Sequence, residues 1–93
     1  MANSLKKLRR EIDQIDKKLL KTLAGRFKIT QKVGEYKKKN SLPSIDRERE
    51  KELFKKCDYL AQKLNLNKKL VKEIFQAILK IVRANHKKIK TKN

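Results

Sequence analysis

Tryptophan is missing from this 93-residue chain, glycine occurs only twice, and proline and cysteine once each. That scarcity of turn-formers suits a helical protein with a thin core and a wide solvated surface. The lone Cys57 rules out an internal disulfide framework and fits a reducing compartment. No stretch reaches the roughly 18 to 20 apolar residues that span a bilayer. The opening Met1-Ala2-Asn3-Ser4 lacks the charged-then-apolar order of a signal peptide, so a cytoplasmic location is expected. Acids are scarce too: 10 stand against 28 Lys and Arg, a net charge of +18. Such an excess attracts anions of every kind, nucleic acid among them. A total does not define a site, however, because most lysines on a helical protein solvate an outer face. Apolar residues make up 38% and charged residues 41%, which gives one domain near the lower size limit of independent folding. Chains this lean often close their apolar face against a partner.

What is present is helical periodicity. Leu5, Leu8, Ile12, Ile15, Leu19, Leu23, Phe27, Thr30 and Val33 recur at spacings of three and four, one face of a long helix with Ser4 as its N-cap. Gly25 and Gly34 each cost about 1 kcal/mol relative to Ala there, and mark either close packing or a weak point. Pro43 makes Lys39-Asn40-Ser41-Leu42-Pro43-Ser44 a loop. Asp46 then caps a second helix with Glu48 and Glu50 near its positive end, carrying the stripe Leu53, Cys57, Leu60 and Leu64. Asn65-Leu66-Asn67 turns the chain, and Asn67 caps a third helix that buries Leu70, Val71, Ile74, Phe75, Ile78, Val82 and Ile89. The expected fold is all-α, a single domain over 1–93 with helices at about 5–38, 46–64 and 68–87 and a cationic tail that frays after Lys87. No strand pattern or internal repeat is evident. The first helix would span about 50 Å and the others roughly 27 and 33 Å, too short to cover its stripe. An interleaved homodimer would cover it.

Some charges lie on the wrong face. With Arg9 at zero on the helical wheel, Ile12, Asp16, Leu19, Leu23, Arg26, Thr30, Val33 and Lys37 fall within a sector of about 120°. A buried cation is costly unless paired. Arg26 has no acid among Thr22, Leu23, Ile29 and Thr30, nor Lys37 among Val33, Gly34, Asn40 and Ser41. Arg9 has Asp13 one turn on and can form an ordinary surface pair. Asp46, Arg49 and Glu50 lead into the second stripe, and His86, the one histidine, follows Val82 by four on the third. Each feature has a plain explanation: snorkelling cations, helix-start acids, a packed core histidine, Cys57 as core filler. Taken together they outline an interior that a small organic anion would neutralise. No Gly-rich phosphate loop, metal-ligand pair or nucleophile–base arrangement is present, so chemistry here would proceed by positioning and electrostatics.

Over nearly its whole length the chain resembles the all-helical class of chorismate mutase. The resemblance runs through Leu8-Arg9, Ile15-Asp16-Lys17-Lys18-Leu19-Leu20, Leu23-Ala24-Gly25-Arg26, Val33-Gly34-Glu35-Tyr36-Lys37, Pro43, Asp46-Arg47-Glu48-Arg49-Glu50 and Ile74-Phe75-Gln76. It implies a small stand-alone form, an intertwined homodimer of three-helix subunits, converting chorismate to prephenate without a cofactor or metal. It also implies roles. Arg26 and the other subunit's Arg9 would grip the two substrate carboxylates, and Lys37 a carboxylate and the ether oxygen. Glu50 and the backbone at Asp46 would hold the ring hydroxyl, with Arg49 bracing the charges around it.

Two positions depart from the family pattern. Val82 stands where a polar residue is usual, and His86 where a glutamine usually donates to the ether oxygen. An imidazole can donate from one nitrogen and an imidazolium from either. If the charged form is required, activity falls as pH rises through the histidine's titration; a flat profile from about pH 5 to 8 would argue against that. A weakened enzyme, a purely structural dimer, or activity on isochorismate are alternatives. So is a basic nucleic-acid-binding protein, which would bind with steep salt dependence and be indifferent to Lys37. Few aromatics and no recognition motif speak against specific nucleic-acid binding, leaving non-specific electrostatic attraction.

Overall fold

A computed structural model describes residues 2–92. Met1 and Asn93, the two ends of the expected domain, lie outside the described residues. Three α-helices follow one another: α1 (Ala2–Lys39), α2 (Arg47–Lys63) and α3 (Lys68–Thr91). Among the described residues there is no strand, and no helix is long and apolar enough to cross a membrane.

The helix ends follow from local chemistry. α1 begins two residues before Ser4, which therefore sits inside the first turn instead of capping it. α1 ends in a double closure: Leu42 N–H donates to Lys37 C=O at 2.8 Å and Ser41 N–H to Lys38 C=O at 3.3 Å. This arrangement needs a left-handed residue after the helix, and Ser41 supplies it with φ 54°. α2 ends the same way. Asn65 takes φ 56°, while Leu66 N–H reaches Ala61 C=O at 2.8 Å and Asn65 N–H reaches Gln62 C=O at 3.3 Å. Asp46 caps α2 by accepting from Arg49 N–H at 3.0 Å, and Asn67 caps α3 by accepting from Leu70 N–H at 3.1 Å. The cationic tail does not fray after Lys87. α3 continues to Thr91, whose hydroxyl donates to the Lys87 and Lys88 carbonyls, and Lys88 and Lys90 oppose the negative end of the helix dipole.

The chain divides into two compact units, Met1–Thr30 and Gln31–Asn93. In the first, the apolar stripe of α1 remains open: Leu5, Leu8, Ile12, Ile15 and Leu19 are each more than half exposed. Leu23, Arg26, Phe27 and Thr30, recurring at spacings of three and four, are half-buried.

The second unit holds the core. The four-residue link between α2 and α3, and the pairing of Glu50 near the start of α2 with Arg83 late in α3, make these helices antiparallel. Cys57 and Ala61 of α2 are buried with Ile78, Val82 and His86 of α3. Leu60, Leu64, Leu70 and Ile74, expected in these stripes, are all more than half exposed. On α3 the packed line runs Val71, Phe75, Ile78, Val82, His86; Ile74 and Leu70 lie about 80° and 120° away from Val82 around the axis. On α2, Leu60 lies about 60° from Cys57, Leu64 is the C-cap, and Ala61 takes the inward place. Its small side chain allows close approach of the helices. The last turns of α1 also meet α3: Lys38 Nζ donates to Lys92 C=O, and Lys90 Nζ donates to Leu42 C=O at 3.1 Å.

Candidate active site

Gly34 fixes how α1 and α3 meet. It is buried, and a Cβ built on it would stand 2.7 Å from His86 Cδ2, 2.7 Å from Ile89 Cδ1 and 3.2 Å from His86 Nε2. Only a residue without a side chain allows this approach, which settles close packing as the reason for Gly34. Gly25, by contrast, has nothing within 4 Å of its Cβ position. His86 is 5% exposed and lies against the turn of α1 that precedes Lys37.

Lys37 is half-buried, and its Nζ donates to Ser44 C=O at 3.2 Å. That bond ties the end of α1 to the loop before α2. A neutral carbonyl leaves the ammonium charge uncompensated, and among the described residues no carboxylate lies within ion-pairing distance of it. Arg26 is half-buried, with its Nη1 shut off from solvent. Arg9 is exposed.

Asp46 is exposed, with its side chain committed to the cap and its carbonyl accepting from Glu50 N–H at 3.1 Å. Glu50 is half-buried, and both its oxygens face Arg83: Nε donates to Oε2 at 2.9 Å and Nη2 to Oε1. The hydrogen bond to Glu50 raises the Arg83 pKa above its ordinary value; the guanidinium is charged in any case. Arg49, expected to brace this region, lies exposed beside Glu52 at 3.4 Å, an i,i+3 surface pair of little weight. Val82 is buried in the helix contact.

The Arg83–Glu50 pair is one that sequence reasoning missed. The neighbours of Arg83 at three and four positions are Leu79, Lys80, His86 and Lys87, none of them acidic. Arg83, one turn before His86, thus shares with Arg26 and Lys37 the lack of an acid on its own helix, though it lies about 100° from Val82 around the axis. Among the described residues no three His, Cys, Asp or Glu side chains gather to hold a metal ion.

The chain matches the model of the family described as chorismate mutase type II over residues 8–87. It is 38% identical over 87 residues to a bifunctional chorismate mutase/prephenate dehydratase of Buchnera aphidicola, covering 94% of this chain and 23% of that protein. It is 41% identical over 81 residues to the protein of the same description from Aquifex aeolicus, covering 85% of this chain and 21% of that protein. With a chorismate mutase of Methanocaldococcus jannaschii it shares 33% identity over 79 residues, 85% of this chain and 80% of that protein. The chain thus spans less than a quarter of the two bifunctional relatives and most of the third.

Proposed function

The chain belongs to the type II chorismate mutase family, and from that membership we propose that it is a cytoplasmic isomerase that rearranges chorismate to prephenate, toward the aromatic amino acids. The reaction is unimolecular: a C–O bond breaks as a C–C bond forms within one dianion. It calls for a compact substrate shape and positive charge at the ether oxygen, where negative charge grows.

The observation that carries this reading is Lys37, half-buried at the α1 end one turn after the Gly34 that packs on the buried His86, with a neutral carbonyl as its hydrogen-bond partner. A bound dianion supplies the missing counter-charge. Lys37 contacts a carboxylate and donates to the ether oxygen, with His86 donating a second hydrogen bond to that atom. Arg26, together with Arg9 of the partner subunit, grips the carboxylates. Glu50 and the backbone at Asp46 hold the ring hydroxyl. Arg49, whose exposed pair with Glu52 is easily broken, adds positive charge at the start of α2.

The dimer in this reading is a second copy laid over the open stripe Leu5, Leu8, Ile12, Ile15 and Leu19. Five large apolar side chains in a row are rarely left to water on a small protein. The +18 charge also draws nucleic acid, without sequence preference. Spectroscopic loss of chorismate, run beside a salt titration of nucleic-acid binding, separates the readings. Turnover with weak, salt-labile nucleic-acid binding supports the enzyme; tight binding without turnover would overturn it.

A further inference from the structure

Glu50 brings a negative charge into a site meant for a dianion. Alone, it repels the substrate carboxylates and cancels one of the cations that attract them. Arg83 removes that difficulty. Its Nε donates to Oε2 at 2.9 Å and its Nη2 to Oε1, a two-point grip on a Glu50 side chain only 17% exposed. A grip of this kind fixes the plane of a carboxylate as well as balancing its charge. It links the first turn of α2 to α3, one turn before His86. Each carboxylate oxygen keeps a second lone-pair position that the guanidinium does not fill.

We propose that Arg83 is a positioning residue for substrate recognition: it neutralises Glu50 and orients its free lone pairs to accept the ring hydroxyl of the substrate. The inference rests on the function proposed above and on the role given there to Glu50. Arg83 itself is 42% exposed, and an ion pair with one arm in water adds little to folding. Its effect on recognition is therefore separable from any effect on stability.

The test is a double-mutant cycle on the full chain, read as chorismate turnover, using Arg83→Met, Glu50→Gln and the two combined. Arg83→Met raises KM about tenfold with kcat within about twofold, the signature of lost ground-state binding. In the Glu50→Gln background the same change moves KM by less than about twofold, because nothing remains to be positioned. A dianion lacking the hydroxyl, used as a competitor, also binds Arg83→Met less tightly than wild type, because the Glu50 charge is no longer balanced, but loses less affinity than the substrate does; an equal or larger loss would overturn the hydroxyl-positioning part of the proposal. Arg83→Lys keeps the charge without the two-point grip; its KM falls between wild type and Arg83→Met, and it replaces Arg83→Met in the cycle should that variant not fold. Equal losses in both backgrounds, or no loss in either, would overturn the proposal. A wild-type chain that leaves chorismate untouched overturns the function and this inference together; an active wild type without coupling overturns the inference alone.

Discussion

Replacing Gly34 by alanine inserts one methyl group where α1 and α3 are already in contact. The new carbon would stand 2.7 Å from both His86 Cδ2 and Ile89 Cδ1, well inside an ordinary van der Waals contact of 3.4–4 Å. Ile89 is half-buried and Cδ1 is the far end of its side chain, so it can rotate away. The His86 ring is 5% exposed and has little room to yield. Overpacking of this kind costs about 1–3 kcal/mol, and the inflexible ring puts Gly34 in the upper half of that range. Against it stands about 1 kcal/mol gained by placing Ala for Gly inside a helix. The net expectation is a loss of about 1–2 kcal/mol. At about 4–8 °C per kcal/mol for a domain of this size, thermal unfolding falls by roughly 4–16 °C. Turnover of chorismate falls further than stability, because the displaced ring is the one assigned to the ether oxygen. Gly25→Ala is the control: with nothing within 4 Å it gains helix propensity alone and melts higher. Both are measured by circular dichroism at one protein concentration, beside the spectroscopic assay. A Gly34→Ala protein that melts above wild type with full activity would refute the packing argument.

Ser41 holds a left-handed conformation that suits glycine better, so Ser41→Gly stabilises by about 1 kcal/mol in the same melting experiment, and an unchanged or lower midpoint contradicts this. His86→Gln keeps a donor and retains or raises the rate, while His86→Ala lowers it sharply; equal rates for the two would remove His86 from the chemistry. Nucleic-acid affinity falls steeply between low and physiological salt and is the same for Lys37→Ala and wild type, because it reflects total charge. A loss confined to Lys37→Ala would instead point to a specific nucleic-acid site.

The three helices and two of the three expected N-caps were legible because their causes are local; Ser4, inside α1, is the exception. Asp46 and Asn67 each satisfy an amide three residues on, and the stripes recur within single helices. What depended on distant partners was not. Gly34 was open to two explanations because the side chains that exclude its Cβ belong to α3. Leu70 and Ile74 fit a three-and-four spacing yet lie off the line that meets α2, and only the packed pair of helices identifies which line is used. The Arg83–Glu50 pair joins residues 33 positions apart, beyond any local pattern, though the absence of an acid near Arg83 on its own helix was a usable signal. Lys37 carries that same signal, and its half-buried ammonium has the Ser44 carbonyl as partner.

The rate of chorismate loss in wild type and Lys37→Ala, at equal concentration and with folding verified, tests the central claim most directly. Loss of a donor aimed at developing negative charge lowers kcat by about 10²–10³. The account predicts an active wild type and a folded Lys37→Ala variant slowed by at least that factor. Equal rates for the two, or no conversion by wild type, would contradict it.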